Sequence, residues 1–374
     1  MKKKIGYWIY AIFFYFFRLF PRKKNKVFCV MTHDGSPGSS VGVVVEALKK
    51  QFPKYQYIYM KKSDREGVKK HVIKSFFGFF LAKPYHMATA SYVLLDNVFL
   101  PMAYLKFHKD VKVIQLWHGT GTIKKFGQDA NAGEVKRLEF LANQSITHLI
   151  VNSEYTKKQY AQAFGVDLSK VFVLGLPRTD EMFSEEIKNR KQNEFYAEYP
   201  DLKGKRIVLY APTFRDQEVD APKMELDIQY LREHTDEQTI FLIKLHPFVA
   251  KNYKTDDSER FINVSDYQDI NTLLFVSDIL ITDYSSIIFE YSVLERPMIF
   301  FAYDLECFSK NGRGFYEEYL SYVPGPVVYS NKELVQKLNE NTFDYEKVIE
   351  FKKGSFAYLD GKSLERLISQ VFKA

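Results

Sequence analysis

The feature that most limits how this chain can fold is a succession of short apolar runs, rich in β-branched residues, that lack a polar alternate. Val27 to Met31, Tyr55 to Met60, Tyr92 to Leu95, Val111 to Leu116, His148 to Val151 and Val171 to Leu174 form a first set. Ile207 to Tyr210, Ile240 to Lys244, Ile279 to Thr282 and Met298 to Phe301 form a second. A strand with one wet face alternates apolar and polar residues, whereas one that is apolar along its length is buried on both faces, as in a parallel sheet covered by helices. Helical stretches such as Asp269 to Val276 and Ile287 to Leu294 lie between the runs. The pattern predicts an α/β protein of two doubly wound, Rossmann-type domains facing a cleft, residues 27–175 and 176–374, with the break in the stretch from Gly175 to Arg206. At 374 residues the chain has material for two such cores. Ligands of doubly wound sheets gather at the carboxyl ends of the strands, so the chemistry is expected in the loops that follow them.

The formal net charge of +7 first suggests a nucleic-acid partner. Residues 1–26, however, carry Lys2, Lys3, Lys4, Arg18, Arg22, Lys23, Lys24 and Lys26 and no acid. Taking those eight from the 53 Lys and Arg leaves 45, against 46 Asp and Glu, so the body is neutral and a nucleic-acid footprint is not expected. Within the basic segment, Ile5 to Phe20 is apolar apart from Arg18. As a helix it would reach about 24 Å, short of the ~30 Å hydrocarbon core of a bilayer. Tyr7, Trp8, Tyr10 and Tyr15 suit headgroup depth, and both flanks are basic, so residues 1–26 read as a monotopic helix on an anionic membrane surface. A signal peptide would need a small-residue cleavage site, and RLFPRKKNK follows instead. A spanning segment and an ordinary buried helix are the other readings. Lys69 to Pro84, with Phe76, Phe77, Phe79 and Phe80 inside a lysine collar, is a second candidate membrane contact, or else core. Cys29 and Cys307 are far apart and form neither a disulfide framework nor a zinc module.

Several polar motifs follow predicted strands. In VIQLWHGTGTIKKF, His118 opens a Gly/Thr loop: a histidine is the side chain that can act as a base near neutral pH, though a lone histidine is more often structural. Gly119, Thr120, Gly121 and Thr122 offer amides and hydroxyls that can surround a phosphate. IVLYAPTFR ends in Arg215, a guanidinium suited to phosphate or else to a surface ion pair. FLIKLHP places Lys244 and His246 after the next strand, and in DILITDYSSIIFE the residues Asp283, Ser285 and Ser286 precede a helix as caps or as a diphosphate site. In VFCVMTHDGSPGSSVGVVVEA the glycines fit neither a P-loop nor GxGxxG, so nucleotide binding is not expected there. Gly35 and Ser36 of that loop, and Asp96 after another strand, are possible acceptor contacts, with tight turns and caps as the plainer reading.

Taken in order, HGTGTIKKFG, GLPRTD, YAPTFR, KLHP and DYSSIIFE resemble the CDP-glycerol glycerophosphotransferases of wall teichoic acid synthesis, over roughly residues 27 to 330. The resemblance implies a GT-B-like pair of domains, an acceptor-side and membrane-side first domain, and a second domain that binds CDP-glycerol. It implies transfer of glycerol phosphate to a lipid-linked saccharide acceptor at the cytoplasmic face of the membrane, with release of CMP. The residues themselves offer no DxD pair where a divalent metal would be held, so protein cations are expected in its place and no metal or cofactor is expected. His118 and His246 become the catalytic pair. His118 to Thr122, Arg178, Pro212, Thr213, Lys244, Leu245, His246, Ser285, Ser286 and Glu290 become donor contacts, to which the reading of the residues adds Arg215. Gly121 and Thr122 depart from the family's usual HGTPLK. The short chain and QLWHGTGTIKKFG look more like the priming enzyme than the polymerase, although addition of several glycerol or ribitol phosphate units is an alternative. A GT-B glycosyltransferase using a nucleotide sugar, and a membrane-surface binding protein without catalysis, are the rivals from other classes. Oligomeric state is not legible in the sequence.

Overall fold

The computed structural model describes residues 2–66, 76–215, 224–251 and 258–372. Lys69, Lys70 and Lys74 of the second membrane candidate lie outside the described residues. The chain forms two compact units: Met1–Thr120 with Lys125–Asp180 and Phe356–Ala374, and Gly121–Lys124 with Glu181–Ser355.

In the first unit, strands β1 (Lys23–Met31), β2 (Gln56–Lys61), β3 (Ala90–Leu95), β4 (Lys112–Gln115), β5 (His148–Val151) and β6 (Val171–Val173) form one sheet in the order β2-β1-β3-β4-β5-β6, with every pairing parallel. The apolar runs are explained by two cores. Phe28, Val30, Val93, Leu95, Val113, Leu149 and Val151 point into one, and Val27, Cys29, Met31, Leu94, Ile114 and Ile150 into the other. Neither face of the sheet is left for water, so no polar alternate survives.

The expected boundary at residue 175 is corrected by the C-terminal helix Ser363–Val371. It buries Leu367, Ile368 and Val371 in the second of those cores, beside Val27, Cys29 and Leu94. Asp180 fastens the start of that helix by accepting the amides of Ser363 and Leu364 at 2.9 and 2.8 Å. The last stretch of chain thus returns to the first unit.

Helix α1 (Lys2–Phe17) is two-sided. Tyr10, Ala11 and Phe14 are buried in the core of the first unit, while Ile5, Trp8, Ile12 and Phe16, which follow helical spacing, are each more than half exposed. The buried-helix reading therefore holds for one face. No helix among the described residues is long and apolar enough to cross a membrane, which removes the spanning alternative for α1. The single turn Gly78–Ala82 packs beside α1, with the Phe79 and Tyr10 rings 5.6 Å apart, and leaves Phe76 and Phe77 exposed just before it.

The second unit repeats the plan with β7 (Arg206–Tyr210), β8 (Thr239–Ile243), β9 (Phe261–Asn263), β10 (Ile279–Thr282), β11 (Met298–Phe301) and β12 (Val327–Val328), in the parallel order β12-β11-β10-β7-β8-β9. Strand order reverses at β1 and β3 in the first sheet and at β7 and β10 in the second. These are the two places where adjacent loops diverge from carboxyl ends and leave room for a ligand.

Candidate active site

In the first unit, the site is built around Asp96, the residue that immediately follows β3 and is almost completely buried. Its carboxylate accepts the amides of Thr32 at 3.0 Å, His33 at 3.2 and 3.3 Å and Asp34 at 3.2 Å, gathering the loop after β1. Its main-chain carbonyl meets Nδ1 of His118 at 2.9 Å. A carbonyl can only accept, so the neutral His118 ring carries its proton on Nδ1 and its lone pair on Nε2. Burial raises the Asp96 carboxyl to about 6 against the opposing pull of its three amide donors.

Trp117, just before His118, has a left-handed backbone (φ 54°), unusual for a bulky residue. Its amide donates to the buried Gln115 Oε1 at 3.0 Å, and its ring centroid lies 3.9 Å from that of His118. Arg178 donates to the His118 carbonyl at 2.5 Å, and the Tyr160 hydroxyl to the Gly119 carbonyl at 3.0 Å. The His33 ring lies parallel to His118, with centroids 3.7 Å apart and planes 3° from coincident. His33 was not anticipated from sequence, although it sits just past β1 in a loop beside the strand reversal, which is a usable signal.

One expectation for the glycine loop changes, and one of its glycines gains a reason. Thr120 and Thr122 are buried, not displayed as exposed hydroxyls. Gly121 is required by a close approach: with φ 63°, any Cβ there would stand 2.3 Å from the Phe289 ring. Gly35 and Ser36 line a cavity of about 200 Å³ with Tyr59, Lys49 and Lys61. Ser36 bonds Asp34 through both its amide and hydroxyl at 2.9 Å, the tight turn of the plainer reading.

In the second unit, Asp283 immediately follows β10 and is buried. It accepts the Thr213 amide at 2.8 Å and Arg215 Nη1 at 2.9 Å. The other face of the guanidinium forms a fork with Asp304, Nε at 2.7 Å and Nη2 at 2.9 Å, and Nη1 also donates to the Thr213 carbonyl at 2.6 Å. Burial opposes the Arg215 charge, but the Asp304 bonds and the Asp283 charge outweigh it and hold its pKa above the ordinary value. The expectation that Arg215 serves a phosphate is thus corrected, because four of its five N–H donors are committed to clamping the loops after β7, β10 and β11. Lys244 is likewise committed, donating to the Ser265 and Tyr267 carbonyls at 2.7 Å each, and burial lowers its pKa. Leu245 is buried, and its amide bonds Ser265 Oγ at 3.0 Å.

The other residues expected to contact a donor in the second unit lie after β7, β8 and β10. The His246 ring lies 4.4 Å from that of Phe214, joining the loops after β8 and β7. Thr213, next to Pro212, holds a buried hydroxyl without a hydrogen-bond partner, an orphan that a ligand oxygen could satisfy. Ser285 Oγ accepts the Ile287 amide at 3.4 Å, Ser286 makes no side-chain cap, and Glu290 is buried. The helix they open, Ile287–Ser292, has six residues. It is too short for a dipole argument, so anion affinity here would come from hydroxyls and amides.

The sequence profile described as CDP-Glycerol:Poly(glycerophosphate) glycerophosphotransferase matches residues 11–373. The chain belongs to this family. It is 35% identical over 365 residues to the teichoic acid poly(ribitol-phosphate) polymerase of Bacillus spizizenii, covering 95% of this chain and 57% of that protein. It is 32% identical over 292 residues to the teichoic acid glycerol-phosphate primase of Bacillus subtilis, covering 76% of this chain and 74% of the relative. The chain spans just over half the length of the first curated relatives it matches. Among solved structures, the wall teichoic acid polymerase TagF superposes with a TM-score of 0.78 at 25% identity, over 99% of this chain and 94% of that one. The two parallel sheets are therefore an architecture that this chain shares with that polymerase.

The raised Asp96 carboxyl has a stability consequence. Its folded pKa lies above the unfolded value, so its contribution is fully present below about pH 4 and is lost as pH rises through about 6. The difference in unfolding free energy between wild type and Asp96→Asn should shift with a slope of up to about 1.4 kcal/mol per pH unit in that window and be flat above it. Urea titrations of both proteins from pH 4 to 8 read this out. A difference independent of pH would contradict the assignment.

Proposed function

We propose that the chain transfers an alditol phosphate, glycerol phosphate from CDP-glycerol in the first instance, to a hydroxyl of a lipid-linked saccharide, releasing CMP. The observation that carries the reading is the bond from His118 Nδ1 to the Asp96 carbonyl, which leaves Nε2 as the basic nitrogen. The acceptor oxygen attacks the phosphorus that bears the alditol, its proton passes to His118 Nε2, and the bond from that phosphorus to the bridging oxygen of CMP breaks. Thr213, Ser285, Ser286 and His246 of the second unit serve the donor's diphosphate and the charge growing on the leaving phosphate. Arg178 and Glu290 complete the expected donor contacts; Arg215 and Lys244 act behind them by fixing loops. Ribitol phosphate is the second reading, supported by relatives named ribitol-phosphate polymerases and primase, and so is addition of several units.

The same proposal places the protein at the cytoplasmic face of the membrane. The exposed face of α1, Ile5, Trp8, Ile12 and Phe16, is amphipathic surface of the kind that settles into an interface, and Lys4 and Arg22 flank it. Deleting the segment would strip Tyr10 and Phe14 from the core, so the exposed face alone is the proper target.

With CDP-glycerol or CDP-ribitol and a synthetic lipid-linked disaccharide, His118→Ala should lower transfer by roughly 10² to 10⁴ while donor affinity is retained. Mass spectrometry of the product identifies the alditol and the number of units; wild-type turnover by the variant would refute the base. The triple change Trp8→Glu, Ile12→Glu and Phe16→Glu should abolish sedimentation with phosphatidylglycerol vesicles and leave the melting curve intact. Unaltered vesicle binding would refute the membrane face.

A further inference from the structure

We propose that His33 is a positioning residue for His118, holding the plane of that ring by stacking flat against it; the inference rests on the reading of His118 as base. The imidazole plane turns about the Cβ–Cγ bond, a torsion that is broad and weakly restrained in isolation. The hydrogen bond from Nδ1 to the Asp96 carbonyl fixes one point of the ring and still permits it to swing. A second ring at 3.7 Å and 3° removes that freedom and sets the direction of the Nε2 lone pair.

Both restraints originate in one buried residue. Asp96 holds His118 through its carbonyl and His33 through both carboxylate oxygens, which accept the His33 amide. The two rings are therefore referenced to the same rigid point at the end of β3. Trp117, locked by its left-handed backbone, adds a third aromatic surface against His118.

His33 is suited to act as a plate rather than as a second base. The residue is exposed overall, yet desolvation of its ring lowers its pKa; Asp34 pulls it upward, and Arg178 and Lys62 push it further down. The neutral ring neither repels a proton arriving on His118 nor competes for it. Aromatic pairs otherwise favour offset or edge-on contacts, so a flat stack of two imidazoles reflects how the loops hold them.

The test compares kcat and donor dissociation constants of the full chain, using CDP-glycerol and CDP-ribitol, for substitutions at 33 and 118. His33→Ala should lower kcat on the order of 10- to 100-fold without weakening donor binding, the scale on which a misplaced reacting group loses rate. His33→Phe, which restores a flat ring without a titrating group, should return kcat to within about threefold of wild type. His33→Leu fills the space without a flat face and should behave as His33→Ala does; it carries the test if alanine lowers stability. The double variant His33→Ala, His118→Ala should be no slower than His118→Ala. Wild-type kcat in His33→Ala or His33→Leu alongside an impaired His118→Ala would overturn the positioning role while leaving the base in place. A slow His33→Phe, or a double variant slower than His118→Ala, would also overturn it, since His33 would then act through its own nitrogens. Full activity in His118→Ala would instead overturn the base itself.

Discussion

Asp96 is the constraint on which the first unit's site depends. It stands one residue past β3, beside the point where strand order reverses, and it is buried where water cannot serve its oxygens. Its carboxylate draws three successive amides inward, and its carbonyl selects the tautomer of His118. A hydrogen bond to a charged acceptor contributes roughly 1.5–3 kcal/mol, so the loop after β1 has one favourable course while Asp96 is present. The chemistry of the site follows from a main-chain bond that no substitution at position 96 removes directly, and from a side chain that holds the main chain in place.

The second unit uses the same device with different neutralisation. Asp283 also stands one residue past the strand at the reversal, and it also accepts an amide from the adjacent loop, that of Thr213. It differs in having a guanidinium, Arg215, where Asp96 has amides. Arg215 in turn binds Asp304 in a fork and lies against Tyr284, Tyr303 and Phe308, so charge and aromatic surface are buried together. An isolated aspartate in that position would be costly, and the three-way arrangement offsets the desolvation.

The architecture was legible because a strand buried on both faces must be apolar throughout, and that mark survives in Val27 to Met31 or Ile279 to Thr282 without any structure. The loops were legible as places. What sequence did not reveal is which polar residues face a ligand and which face each other. Arg215 and Lys244 carry the right charge for phosphate, but Asp283, Asp304, Ser265 and Tyr267 reach them from elsewhere in the chain, and such pairing has no local signature. His33 escaped for the converse reason: its significance comes from a neighbour 85 positions away, set by β1, β3 and β4 lying side by side. The return of Ser363–Val371 to the first unit was hidden because an amphipathic helix specifies that it has a buried face but not which core receives it. For α1, apolarity all round concealed a division into a core face and an exposed one.

His118 is held by Asp96 as the tautomer with a basic Nε2. Nitrogen NMR of the full chain labelled with ¹⁵N at its histidine rings, with the His118 resonances assigned by substitution, reads the tautomer directly under conditions where the ring is neutral. This bonding requires a protonated Nδ1 and an unprotonated Nε2. A proton on Nε2, or rapid exchange between the two nitrogens, would contradict it.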